Sequence, residues 1–186
     1  MILKSGIKLY HGSYSKIEKI DLSKCNSGKD FGIGFYLTTD YEQAVKFINT
    51  SLLKAKKNNI IEENVNFGFV NEFIFTESKK ISIFDFKKAD KKWLHYVAAN
   101  RKTGLFDNEI EKFQKFDIIT GKIANDATNR VITAYINNIY GEVGTETADK
   151  TAINLLLPNK LSDQICFKTQ NAISCLTFGS AKEIFL

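Results

Sequence analysis

Strand-like runs in this chain are short, numerous and unevenly spaced, and the amphipathic stretches between them keep no regular beat. Strict alternation of strand and helix would imply a doubly wound parallel sheet; its absence predicts a mixed α+β domain. Runs rich in aromatic and β-compatible residues fall at 7–11, 34–38, about 67–76 and 80–86, 115–123, 163–168 and 181–186. A turn around Glu77 to Lys79 joins the third run to the fourth. Residues 12–30, with Gly12, Ser13, Asn26, Ser27 and Gly28, predict a loop. Thr39 or Asp40 opens a helix whose apolar face is Ala44, Phe47, Ile48, Leu52 and Ala55, at spacings of three and four. A shorter helix spans 91–101, with Trp93, Tyr96 and Val97 toward the core. Asp126 or Thr128 opens the next, which buries Val131, Ile132, Tyr135 and Ile136 and ends by Gly141. Helices at about 147–157, stopped by Pro158, and at 170–177 complete the pattern.

The chain is 186 residues long, which suits one domain over 1–186. Fifteen Phe, seven Tyr and one Trp supply a core and exclude intrinsic disorder. No run approaches the roughly 18 apolar residues of a membrane helix, so no membrane partner is expected. The first 25 residues carry Lys4, Lys8, Lys16, Glu18 and Lys19 without an apolar block, which excludes a secretory signal. Cys25, Cys166 and Cys175 are too few and too spread for a disulfide scaffold, and with only His11 and His95 a Cys/His metal cluster is excluded as well. A reducing, cytoplasmic setting without a metal is the expectation. The net charge of +5 permits a polyanionic partner but does not demand one. Only Arg101 and Arg130 among 26 basic residues are arginine, which weakens base-edge readout as the main activity.

No P-loop, HExxH or GxSxG motif is present. GIGF at 32–35 lacks the third glycine and the helix start of a Rossmann site. Two segments stand out instead: LYHGS at 9–13, and DFGIGFYLTTD at 30–40 leading into the amphipathic helix. A histidine at a strand end can hydrogen-bond a ribose hydroxyl, and a glycine beside it lets an amide ligand pair with the main chain. A tyrosine on a neighbouring strand can stack on a flat ring. Alone, His11 reads as a satisfied strand histidine and Tyr36 as a core aromatic; with the glycines they read as a ligand site.

The sequence resembles the ADP-ribosyltransferase superfamily, in the branch shared by diphtheria toxin and the poly(ADP-ribose) polymerases. Within that branch it looks like a bacterial domain-of-unknown-function family classed with ADP-ribosyltransferase-like toxins. The resemblance rests on YHGS at 10–13, DFGIGFYLTTDYEQA at 30–44, WLHYVAANR at 93–101, FDIITGKIANDA at 116–127 and QICFKT at 164–169. It implies split antiparallel sheets with flanking helices, and NAD as co-substrate. It implies that His11 bonds the adenosine-side ribose, that Gly12 pairs with the nicotinamide carboxamide, that Ser13 supports the ribose, and that Tyr36 stacks on nicotinamide. Gln164 takes the late-strand position where the superfamily most often has Glu, which makes the catalytic set His11, Tyr36 and Gln164. Asp30, Gly32, Phe35 and Arg101 complete the expected NAD-binding residues.

Asp30 suits either a cap on the following turn or a ligand contact, and Arg101 either a pyrophosphate or a carboxylate partner. Asp117, in an apolar strand, needs a partner or a cleft. A neutral Gln holds a ribose hydroxyl but cannot act as general base. Either the acceptor is already a good nucleophile or Asp117 or Asp126 supplies the base. Cys166 shares a face with Gln164 and reads as packing. The resemblance implies mono-ADP-ribosylation of a macromolecular acceptor, protein or nucleic acid, by a toxin held by an antitoxin partner. The alternatives are a degenerate module that binds NAD, ADP-ribose or nucleic acid, and an NAD glycohydrolase.

Overall fold

The computed structural model describes residues 3–123, 126–156 and 162–186. The fold is α+β, with two sheets and six helices among the described residues. The first sheet is antiparallel and joins β1 (Lys8–Ser13), β3 (Phe67–Phe75) and β7 (Leu176–Phe185) in the order β1-β3-β7. The second joins β2 (Phe35–Leu37), β4 (Ile83–Asp85), β5 (Ile118–Lys122) and β6 (Asp163–Phe167) in the order β2-β6-β5-β4. This second sheet is mixed rather than antiparallel, because β4 runs parallel to β5. The turn after β3 therefore does not return the chain along its own sheet: it carries it across to the other one. A bridge between Tyr10 and Thr38 is where the two sheets touch at the β1–β2 edge.

Period-two alternation along these strands sorts side chains into three cores. Leu9, Phe35, Phe73, Phe75, Ile118, Ile165 and Phe167 fill the space between the sheets. Helix α1 (Tyr41–Lys57) covers the outer face of the first sheet through Ala44, Ile48 and Leu52 against Val70. Helices α2 (Lys91–Arg101), α4 (Asp126–Ile136) and α5 (Glu146–Leu156) cover the second sheet through Trp93, Tyr96, Ile132 and Tyr135. Each fully buried Leu or Phe in these layers contributes roughly 1.5–3 kcal/mol.

Several local expectations meet a clear physical cause. Asp40, not Thr39, caps α1, accepting from the Gln43 N–H at 3.1 Å. Asp90 caps α2 the same way through Trp93. Helix α3 (Asp107–Phe113) was not expected. It is two turns long, and the residue before it, Phe106, holds a left-handed φ of 51°, which no propensity argument favours. The helix expected at 170–177 is only α6 (Gln170–Ile173), because β7 begins at Leu176. Pro158 and Asn125 lie outside the described residues, as does the side chain of Asp126.

Candidate functional site

The two sheets part beyond the Tyr10–Thr38 bridge and open a cleft of about 1460 Å³, larger than a typical drug-sized site of roughly 300–1,000 Å³. His11, Gly12, Ser13, Asp30, Phe35, Tyr36, Arg101 and Gln164 all line it. They come from β1, the loop before β2, β2 itself, α2 and β6, so the fold brings together segments from opposite ends of the chain, His11 and Gln164 among them.

Strand register decides what β1 offers. Tyr10 gives its N–H and takes its second bond from Thr38, at 2.8 and 3.0 Å. In an antiparallel pair the backbone groups alternate sides, so Gly12 points its N–H and C=O to the same open edge as Tyr10, away from β3. Beyond the bridge β2 has diverged, and this donor–acceptor pair faces the cleft. Gly12 must be glycine for a separate reason. A Cβ there would stand 1.9 Å from the Ala44 carbonyl oxygen of α1.

His11 is fixed by two contacts. Its Nδ1 lies 2.7 Å from the Tyr36 carbonyl, and a carbonyl only accepts, so Nδ1 carries the proton. Nε2 is left as an acceptor. The ring packs on Phe35 at 4.5 Å between centroids. Burial holds the imidazole pKa below its ordinary value, against a smaller opposing effect of the Tyr36 hydrogen bond, and keeps it neutral. Phe35 itself is buried between the sheets, so it supports His11 and does not reach into the cleft as a free side chain.

Tyr36 faces the opposite way from Phe35. Its hydroxyl donates to Gly32 O at 2.7 Å and accepts from the Phe31 N–H at 3.0 Å, tying β2 to the 29–34 turn. Burial pushes its pKa up. Gly32 does not reach the cleft with the others. It sits behind the turn with φ +82°, where a Cβ would stand 2.6 Å from Asn100 Oδ1. Its role is to build the turn. Ser13 is buried, and its Oγ accepts from the Ser15 N–H at 3.3 Å, closing the end of β1.

Gln164 is buried, and its amide nitrogen lies 2.8 Å from Asp30 Oδ2 and 3.3 Å from the Lys122 carbonyl. Both neighbours are pure acceptors, which fixes the amide orientation: nitrogen inward, oxygen outward. Asp30 also accepts from Arg101 Nε at 3.0 Å and from Nη2, while Arg101 Nη1 donates to Asn129 at 2.6 Å. Asp30 therefore stands beneath Gln164, and Arg101 has a carboxylate partner. Asp117 is no candidate base in this cleft. It accepts from the Ser82 N–H at 2.8 Å, from Ser82 Oγ at 2.9 Å and from Thr169 Oγ1 at 2.6 Å, and does not line the cleft. Cys166 is fully buried, and burial pushes its thiol up to about 12.

The three-and-four spacing places Phe47 on the apolar face of α1, yet it is 42% exposed and lines the cleft. The buried stripe is Ala44, Ile48, Leu52 and Ala55. Phe47 lies one position off that stripe, a distinction that only the helix's seating on β1 and β3 settles. An exposed aromatic inside a concavity offers a stacking face.

Residues 7–178 match the family described as a protein of unknown function (DUF3990). The chain belongs to that family. No curated protein and no solved structure matches it. The family match takes in every cleft residue named above, from His11 to Gln164. Among the described residues no helix is long and apolar enough to cross a membrane.

Proposed function

We propose that the cleft binds NAD and that the chain is a mono-ADP-ribosyltransferase. The observation that carries the reading is the convergence of three differently oriented polar sites on one cleft. These are the His11 Nε2 acceptor, the open backbone pair of Gly12 and the outward amide oxygen of Gln164. A carboxamide needs one donor and one acceptor side by side, which Gly12 supplies. A ribose needs acceptors for its hydroxyls, which His11 and Gln164 supply. The aromatic faces of Tyr36 and Phe47 suit a flat ring.

Cleavage of the nicotinamide–ribose bond passes through an oxocarbenium-like state, as glycoside cleavage does. Gln164 holds a ribose hydroxyl while the C1′–N bond lengthens and nicotinamide departs. The buried Asp30 carboxylate polarises the Gln164 amide from behind, so its oxygen carries more negative charge than a free amide would. Arg101 holds that carboxylate in place through its Nε and Nη2 hydrogen bonds. Fixed groups of this kind stabilise developing charge without reorganising. The acceptor then attacks C1′ and gives up its proton to solvent or to a base of its own. Mono-transfer fits, because the neutral Gln164 cannot act as a general base. A toxin role with an antitoxin partner and a cytoplasmic site of action rest on the sequence resemblance.

The test uses NAD labelled in its adenylate half, incubated with the chain and a cell lysate. Label on a macromolecule with wild type, and none with Gln164→Ala, is the expected result. Nicotinamide release without label would replace transfer by hydrolysis. NAD binding with neither release nor label would leave a binding module.

A further inference from the structure

We propose that the acceptor of the transfer is a single-stranded nucleic acid, held in the cleft along helix α1 and the 14–29 loop. Its role as acceptor rests on the NAD reading above; its binding does not.

Charge on this chain is not spread evenly. Among the described residues that line the cleft, eight are lysine or arginine and four are acidic. That leaves the cleft at +4 of the chain's +5, and the other 18 cations and 17 acids of the sequence nearly cancel. The four acids are committed to the protein. Glu18 pairs with Lys16 at 2.5 Å, Asp30 with Arg101, Asp21 accepts from the Ser23 N–H at 3.0 Å, and Asp40 caps α1. NAD carries two phosphates and one pyridinium cation, so it leaves most of this excess unanswered. A concave wall of one sign focuses its field on an anionic partner, and a strand of phosphates answers it along its length. Seven of the eight cations are lysine, which suits point-charge contact with phosphates rather than base-edge readout.

Cations and an aromatic share one track. Gln43, Lys46, Phe47, Thr50 and Lys54 all line the cleft. Their spacing puts them on one face of α1, over about 16 Å at 1.5 Å per residue. The helix runs alongside β1: the Ala44 carbonyl stands over Gly12, and Ser51 Oγ accepts from the Tyr14 N–H at 3.0 Å. The stripe therefore starts beside Gly12 and leads toward the 14–29 loop, where Lys16, Lys19, Lys24 and Lys29 line the same cleft. Phe47 stands on the stripe between Lys46 and Lys54, exposed like both of them. With Tyr36 assigned to the nicotinamide ring, its face is left for a base. Lysines that follow phosphates and an aromatic that stacks an unpaired base are the two parts of single-strand binding. A duplex keeps its bases stacked on one another, and an acidic protein surface would use the lysines but not the ring.

The chemistry agrees. Gln164 cannot take a proton, which favours an acceptor that is nucleophilic as it stands, such as a base nitrogen with a lone pair. That nitrogen attacks C1′ as the C1′–N bond breaks. Nicotinamide leaves with the bonding pair, and the proton displaced from the acceptor nitrogen passes to solvent.

The experiment measures fluorescence-anisotropy binding of a labelled single strand of about 12 nucleotides, as DNA and as RNA, without NAD and between about 50 and 200 mM salt. Wild type is compared with Phe47→Ala and with the double variant Lys46→Gln/Lys54→Gln. Phe185→Ala and Lys57→Gln are the controls, an exposed aromatic and an exposed lysine outside the cleft. For wild type, log Kd should rise against log salt with a slope of about 3, at roughly 0.7 per neutralised phosphate. The double lysine variant should lower that slope by about 1, and Phe47→Ala should lose about tenfold in affinity at an unchanged slope. Both controls should bind as wild type does, and a matched duplex should lose nothing in Phe47→Ala. No binding, a flat salt response, or equal affinity in wild type, Phe47→Ala and the lysine variant overturns the proposal. Nicotinamide release from NAD is followed separately, without the strand. Release, together with label from adenylate-labelled NAD on the strand, supports the acceptor role. Release with no label on the strand overturns it, and label on lysate protein instead names a protein acceptor. Strand binding as expected with no nicotinamide release removes the transferase reading and leaves the nucleic-acid site standing.

Discussion

Asp30 and Asp149 are both nearly withdrawn from solvent, at 6% and 3% exposure, and each meets a cation. Asp149 accepts from His95 Nε2 at 2.9 Å and from the Tyr135 hydroxyl, and pairs with Lys91 at 2.8 Å. Tyr135 in turn accepts from the Gly144 N–H at 3.1 Å, and His95 stacks on Phe106 at 3.8 Å between centroids. The hydrogen bonds to Asp149 Oδ1 both come from protein side chains, and they lock α2, α4 and α5 together. The Asp30 network runs through Arg101 and Gln164 but ends on an amide oxygen turned to the cleft. Burial, charge and partner type are alike in the two places. On the proposed reading, what separates the structural carboxylate Asp149 from Asp30, which would serve a ligand, is that the hydrogen-bond chain of Asp30 ends on the cleft.

The comparison makes its largest prediction at the closed network. Asp149→Ala should cost about 3–5 kcal/mol of folding stability, read as a lowered melting temperature, since it strands His95 and Tyr135 without their acceptor. The fraction that remains folded should bind NAD normally. A weakened NAD affinity in folded protein would break the distinction drawn here.

A smaller effect is expected at the open network. Gln164→Glu sets a second carboxylate against Asp30 Oδ2, where the amide nitrogen donated at 2.8 Å. The loss should be roughly 1–3 kcal/mol at neutral pH, and adding Asp30→Asn should restore most of it. If the double variant is no more stable than the single, Asp30 does not orient residue 164.

Much of this fold could be read along the chain. Helix α1 follows from a four-residue apolar stripe and an Asp cap, and β6 from the run at 163–168, because each is set by local spacing. Which strands pair was not readable. β4 is three residues long and lies parallel to β5, a choice made by the core between Phe84, Phe86 and Phe113 rather than by any turn. The site divides the same way. His11, Gly12, Tyr36 and Gln164 could be named from residue type and resemblance. That Gly12 is glycine because α1 crosses it, that Asp30 stands under Gln164, and that Phe47 opens on the cleft are facts of packing between distant segments.

The smallest prediction concerns His11. Its folded pKa lies below the unfolded value of about 6.5, so its contribution to stability is intact above that pH. It is lost as pH falls from there through the folded pKa. NAD binding should weaken over the same range, because a protonated Nε2 donates where the ribose also donates. A His11→Gln variant should flatten this dependence, measured by NAD affinity between about pH 4 and 7. An unchanged profile in the variant would assign the titration to another group.

The most direct measurement is the rate of nicotinamide release from NAD by wild type, Gln164→Ala and Tyr135→Phe, each at a temperature where all three are folded. The account predicts release by wild type, a fall of about a hundredfold or more in Gln164→Ala, and a near-normal rate in Tyr135→Phe. No release by folded wild type, or equal rates in wild type and Gln164→Ala, would contradict it.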